Sequence, residues 1–202
     1  MSPKGVGYLK VVIFCLSLFP AANLLQGALS NALGTNPVET LIRDTGDWAL
    51  RFLLIGLALT PLRNLTGQAQ LMRFRRMLGL FAFFYAFIHL SIYIGLDKYL
   101  YWDDILEDII KRPFITIGML AFLCLVPLAV TSTNGMIRRL GGRRWQKLHK
   151  SVYFIAIAGV IHFMMLVKKD LTEPLLYAFV LLLLLLARVP SIKRVTQRTA
   201  KA

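Results

Sequence analysis

Six apolar stretches, near 8–29, 48–63, 77–96, 114–131, 151–167 and 174–189, alternate with short polar connections. Each approaches the roughly 20 residues an α-helix needs to cross the hydrocarbon core of a bilayer. The pattern predicts an all-α integral membrane protein, a six-transmembrane-helix bundle forming one domain over 1–202, because the loops are too short to fold separately. In the first stretch, Lys4 and Lys10 precede an apolar run and Pro20-Ala21-Ala22, as in a secretory signal. The apolar character continues through Leu24, Leu25 and Leu29, which favours an uncleaved first helix. Asn36-Pro37 and Thr45-Gly46 read as turns in a connection from Asn31 to Asp47, and Pro61 reads as the end of the second helix. Between Asp97 and Pro113, the spacing of Ile105, Ile109 and Ile110 suggests a short amphipathic helix on the surface. The fourth and sixth stretches, the latter with a run of leucines, read as scaffold.

Composition agrees: 57% of the 202 residues are hydrophobic and the mean hydropathy is +0.63. A net charge of +14 would suggest nucleic acid in a soluble protein, but here the charges follow topology. With the N-terminus placed in the cytoplasm, the inner segments hold 17 of the 24 lysines and arginines, including Arg63, Arg73, Arg75, Arg76, six residues from Arg138 to Lys150 and five from Arg188 to Lys201. All ten carboxylates fall on the other side. The lysine and arginine bias therefore predicts both termini in the cytoplasm, with a basic face suited to anionic membrane lipid and no nucleic-acid partner. Cys15 and Cys124 lie within apolar stretches and read as small fillers.

Against this background two histidines need a reason, since ionisable side chains inside a membrane are usually functional. His89 lies about 18 Å into the third stretch and His162 about 16 Å into the fifth, at about 1.5 Å per residue from one common face. Two imidazoles at one level on two helices can clamp a haem iron from both sides. Proton relay and metal-ion transport compete with that reading, yet both usually want intramembrane carboxylates, and this chain has none. A hydrogen bond to a neighbouring helix, or a chain that merely anchors a partner, are the bland alternatives.

Arg51, about one turn inside the outer surface, either snorkels to headgroups or pairs with a haem propionate. Phe81, Phe83, Phe84, Tyr85 and Phe87 crowd the turns before His89, which suits a porphyrin or ordinary helix packing. His149, thirteen residues before His162, is a further candidate iron ligand, but on one straight helix the two rings would point about 140° apart. Its counterparts on the third helix would be Arg75 and Arg76, which argues against a second bis-histidine haem. Arg138-Arg139 and Arg143-Arg144, beside Gly135, Gly141-Gly142 and the hydroxyls of Ser132 and Thr133, suit an anionic headgroup or a cofactor phosphate, though positive-inside topology also accounts for them.

Several segments together, TGDWAL (45–50), TPLR (60–63), RRMLGL (75–80), KRPFITIG (111–118), LAVTS (128–132) and RRWQKLHKSVY (143–153), with His89 and His162, resemble the MsrQ family. These are haem-binding membrane subunits of bacterial periplasmic methionine sulfoxide reductase systems, within the ferric reductase-like transmembrane family. The resemblance implies a cytochrome b-type bundle in the bacterial inner membrane with haem b on His89 and His162, and FMN as well. It implies an electron-transfer subunit rather than the catalytic one. Electrons would come from the quinone pool or a cytoplasmic flavin reductase and pass to a periplasmic molybdenum-cofactor subunit, MsrP. Larger members of the family carry two histidines on each helix and a flavin and nicotinamide domain after the last span; this chain departs from both.

Overall fold

The computed structural model describes residues 3–167 and 169–188, with side chains from residue 5. The Lys4 side chain, the end of the sixth apolar stretch at Val189, Pro190 and the basic tail lie outside the described residues. The described elements are helical: α1 (Pro3–Leu29), α2 (Pro37–Thr66), α3 (Arg75–Ile92), α4 (Trp102–Lys111), α5 (Pro113–Val130), α6 (Asn134–Leu140), α7 (Gly142–His149), α8 (Val152–Leu166) and α9 (Thr172–Leu186). A 3₁₀ turn leads into α3, and a π-turn, Tyr93–Asp97, follows it.

Among the described residues five helices are long and apolar enough to cross a membrane: Gly5–Leu29, Pro37–Thr66, Arg75–Asp97, Pro113–Val130 and Gly142–Leu166. The sixth apolar helix, α9, is shorter, with 15 residues. Large apolar side chains such as Phe19, Phe87, Leu123 and Phe179 stand outward along these helices, as lipid-facing positions do. Inside, Ala82, Ala121, Ala156 and Ala158 are buried, which lets the helix backbones approach closely where apolar burial alone supplies little drive. The helices pair chiefly as α2 with α3 and α5 with α8.

Three local expectations are corrected. The connection predicted from Asn31 to Asp47 is helical from Pro37 onward. Asn36 caps it, its side chain accepting from the Glu39 N–H at 3.3 Å, Pro37 supplies a preset first turn, and Glu39–Arg43 and Asp47–Arg51 pair at helical spacing. Pro61 does not end α2, which runs on to Thr66 and closes at Gly67, φ 71°. A proline there leaves the Leu57 carbonyl without its helical donor, and Arg188 from the end of α9 donates to that oxygen instead. The sixth stretch is more than scaffold, since Tyr177 and Arg188 both tie it to α2.

A comparable repair occurs in α1. The Tyr85 hydroxyl donates to the Ser17 carbonyl at 2.7 Å and accepts from the Ala21 N–H at 3.1 Å, so it occupies a rung of the α1 ladder beside Pro20. Tyr85 is fully buried, and Phe52 stacks on it with ring centres 5.3 Å apart.

The amphipathic helix expected in the outer connection forms as α4, but its inward face differs from the expected one. Ile105 and Asp108 are buried while Ile110 is exposed. Asp108 turns inward because it gathers Lys98, the Tyr93 hydroxyl at 3.1 Å and Arg112 Nε at 3.1 Å. Burial alone would raise its pKa, but hydrogen bonds from Lys98 and Tyr93 and the charge of Arg112 outweigh it and hold the carboxyl below its ordinary range. Cys15 and Cys124 are free thiols.

Candidate functional site

His89 comes from the last turns of α3 and His162 from the last turns of α8, and their ring centres lie 6.2 Å apart with planes at 88°. Each ring is held by a backbone carbonyl on the helix packed against its own. His89 Nδ1 meets the Ile42 carbonyl of α2 at 2.8 Å, and His162 Nδ1 meets the Phe114 carbonyl of α5 at 2.7 Å. A carbonyl only accepts, so Nδ1 carries the proton in both rings and each Nε2 presents a lone pair. This is how a protein fixes an imidazole for metal ligation: one nitrogen is tied back and the other is left to bind.

Beside each carbonyl stands a glycine one helical turn later. A Cβ at Gly46 would come within 3.0 Å of His89 Nδ1, and one at Gly118 within 2.8 Å of His162 Nδ1. Each ring is packed against helix backbone at a glycine, where an added Cβ would crowd it. Thr45-Gly46, expected as a turn, is therefore mid-helix, and its glycine answers to a ring far away in the sequence. The signal was present in the repeated order of a helix start followed by a glycine on the two partner helices, but it is unreadable without knowing which helices pair.

The pair fits a haem iron. Two imidazoles bound through Nε2 on opposite sides of one iron have ring centres about 6 Å apart, twice the sum of a metal–nitrogen bond of about 2 Å and the roughly 1 Å from that nitrogen to the ring centre. Among the described residues no group of three or more His, Cys, Asp or Glu side chains could hold a metal ion.

The remaining candidates divide. Arg51 is half-buried: Nε donates to the Tyr177 hydroxyl at 2.8 Å, a terminal nitrogen stands 3.6 Å from Asp47, and the guanidinium lies over Trp48. Phe81 and Tyr85 turn towards α1 and α2, whereas Phe83 stacks on Phe122 of α5. His149 is separated from α8 by a turn at Lys150–Ser151, so the straight-helix objection to its orientation does not arise. Its Nε2 lies 3.1 Å from the Thr131 hydroxyl, and Trp145 stacks on the ring with centres 3.9 Å apart while donating to the Thr131 carbonyl.

Arg75 is half-buried, with Tyr153 and Arg188 as charged or polar neighbours, and it acts electrostatically on His149. Arg188, which the sequence did not single out as a site residue, donates to Tyr153 and Leu57, yet its buried Nε has no hydrogen-bond partner among the described residues. Arg76 is exposed and bonds Asn134 at 2.8 Å. Arg143 and Arg144 are exposed at the start of α7, apart from the histidine pair.

Comparison with known proteins places the chain in a family. The ferric reductase like transmembrane component family matches residues 45–160. A protein-methionine-sulfoxide reductase heme-binding subunit MsrQ from Rhodospirillum rubrum is 51% identical over 186 residues, covering 92% of this chain and 89% of the relative. The protein of the same name from Herminiimonas arsenicoxydans is 47% identical over 190 residues, 93% and 87% of the two chains. That from Xanthomonas campestris pv. campestris is 58% identical over 160 residues, 79% and 73%. The chain belongs to the MsrQ family. Membership in this transmembrane family and the five long apolar helices make it a multi-pass membrane protein. The name of the MsrQ relatives describes each as the heme-binding subunit of a protein-methionine-sulfoxide reductase.

Proposed function

We propose that this chain is the haem b electron-transfer subunit of a periplasmic methionine sulfoxide reductase system, with His89 and His162 as the axial ligands. The observation that carries it is the histidine pair: two rings with centres 6.2 Å apart, each tied back through Nδ1, which leaves the Nε2 lone pair of each to bind a metal. Bound there, haem iron would supply a one-electron couple. The protein's share is to hold both imidazoles in one tautomer and one orientation, and to surround them with apolar helices that set the potential.

The same reading takes α9 as the sixth crossing, which puts both termini of the single transmembrane domain on the cytoplasmic face of a bacterial inner membrane, in line with the basic inner loops. His89 and His162 then lie towards the periplasmic side, where a molybdenum-cofactor subunit, MsrP, would take electrons. Arg51 stands at that level as a partner for a propionate, shared with Asp47 and Tyr177. On the cytoplasmic side the half-buried Arg75, Arg188, whose buried Nε has no hydrogen-bond partner among the described residues, and His149 show no hydrogen bond or ion pair to an Asp or Glu side chain among the described residues. Glu39, Asp44 and Asp47, expected in an outer connection, lie instead in the crossing helix α2. An anionic cofactor such as FMN suits that end, with Arg76, Arg143 and Arg144 around its mouth. The donor would be a quinone or a cytoplasmic flavin reductase.

The test is the reduced-minus-oxidised spectrum of detergent-purified protein, with haem and released flavin quantified. Sharp low-spin b-type bands are expected, abolished by His89→Ala or His162→Ala in protein that still inserts, and largely kept in His149→Ala. Normal haem in both of the first two variants would overturn the assignment, and a protein colourless after haem-replete expression would favour an ion transporter.

A further inference from the structure

We propose that Gly46 and Gly118 are positioning residues that set the planes of the two imidazoles, and through them the electronic state of the iron the pair would hold. The inference rests on the haem reading above. It starts from a duplicated arrangement. On α2 the Ile42 carbonyl accepts a hydrogen bond from His89 Nδ1 and the glycine four residues later stands against the ring; on α5 the Phe114 carbonyl and Gly118 do the same for His162.

The glycines are chosen for contact, not for flexibility. Each sits within a regular helix, where glycine is weaker than alanine. A Cβ at Gly46 would meet His89 Nδ1 at 3.0 Å and Cε1 at 3.1 Å; at Gly118 it would meet the same atoms of His162 at 2.8 and 2.9 Å. These distances are too short for an undisturbed fit, and the obstructing atoms belong to rings anchored by their own hydrogen bonds. Other helical glycines, Gly56 on α2 and Gly79 on α3, have open space where a Cβ would stand. An added methyl at 118 therefore displaces the ring or its hydrogen bond to the carbonyl, and one at 46 pushes its ring by a smaller amount.

Ring rotation matters because the two planes now stand at 88°. In a low-spin ferric haem, axial imidazoles with crossed planes leave the two iron d orbitals of π symmetry nearly degenerate, and the electron paramagnetic resonance signal is strongly anisotropic. Parallel planes split those orbitals and give a rhombic signal. The pair of carbonyl–glycine seats is what crosses the planes here.

The experiment compares wild type, Gly46→Ala, Gly118→Ala and, as control, Gly56→Ala, all purified with haem in detergent, by low-temperature resonance spectra and haem titration. Wild type and Gly56→Ala are expected to share a strongly anisotropic low-spin signal. Gly118→Ala should shift it towards the rhombic form and weaken haem binding about tenfold or more, with Gly46→Ala shifting less because its contact is looser. If Gly118→Ala does not assemble, Gly46→Ala carries the test alone. Wild-type signals and haem content in the glycine variants would overturn the proposal, while His89→Ala and His162→Ala still lost their haem. Retention of haem by those two alanine variants would instead remove the reading beneath it.

Discussion

Tyr85→Phe removes one hydroxyl from a fully buried ring, and that hydroxyl stands in for a rung of α1. The Ser17 carbonyl and Ala21 N–H, which it bridges at 2.7 and 3.1 Å, would bond each other in an uninterrupted helix. Without it the two groups either remain unpaired in apolar surroundings, at about 1–3 kcal/mol each, or close on one another. Closure is opposed by Pro20, whose ring occupies that turn and crowds the carbonyl four residues back. Between these limits the expected loss is about 2 kcal/mol, which for a chain of this size lowers the melting temperature by roughly 4–8 °C. The assay is thermal unfolding of detergent-purified protein followed by tryptophan fluorescence, to which Trp48, 6.3 Å from the Tyr85 ring, should report. Repeating it in a Pro20→Ala background gives a double-mutant cycle, in which the rung can close and Tyr85→Phe should cost about 1 kcal/mol less. A melting temperature within about 1 °C of wild type, or the same loss in both backgrounds, would refute the account.

Two further outcomes follow from the other repairs. Arg188→Met should destabilise by about 2 kcal/mol, because the Leu57 carbonyl and Tyr153 hydroxyl lose their donor. Pro61→Ala, which returns a helical N–H to Leu57, should recover part of that loss, and equal melting of the single and double variants would count against the exchange. Asp108 titrates lower in the folded chain than in the unfolded one, so its contribution is complete above the ordinary carboxylate range, about pH 4, and is lost as the pH falls through the lower folded value. Amide protection across α4 should therefore fall in acid. Asp108→Asn, which strands Lys98, should loosen α4 already at neutral pH by roughly 3 kcal/mol, with a much smaller acid step remaining. An acid step of unchanged size in that variant would exclude Asp108 as its source.

The apolar stretches announced the helices because in a bilayer every backbone polar group must be satisfied within its own segment. The histidines announced themselves by the same logic, as imidazoles with no local reason to be there. What stayed hidden depends on partners distant in sequence. Pro61 reads as a stop until Arg188 supplies the missing donor, and Gly46 reads as a turn until His89 is laid against it. The first turns of α2 carry Glu39, Arg43, Asp44 and Asp47, and that polarity masked a helix held together by its cap and its own ion pairs. Asp108 was indistinguishable from its acidic neighbours until Lys98, Tyr93 and Arg112 converged on it.

The two seats are also separate in the order of synthesis. His89 and the Ile42 carbonyl that orients it both lie in α2 and α3, which leave the ribosome together; Phe114 and His162 flank α5 through α8 and come later. Each half is thus specified within its own helix pair, and the site comes into being only when the second pair docks on the first. A truncation that stops before α8 would leave His89 without its partner ring, so any group that needs both rings also reports that the chain has been made through α8.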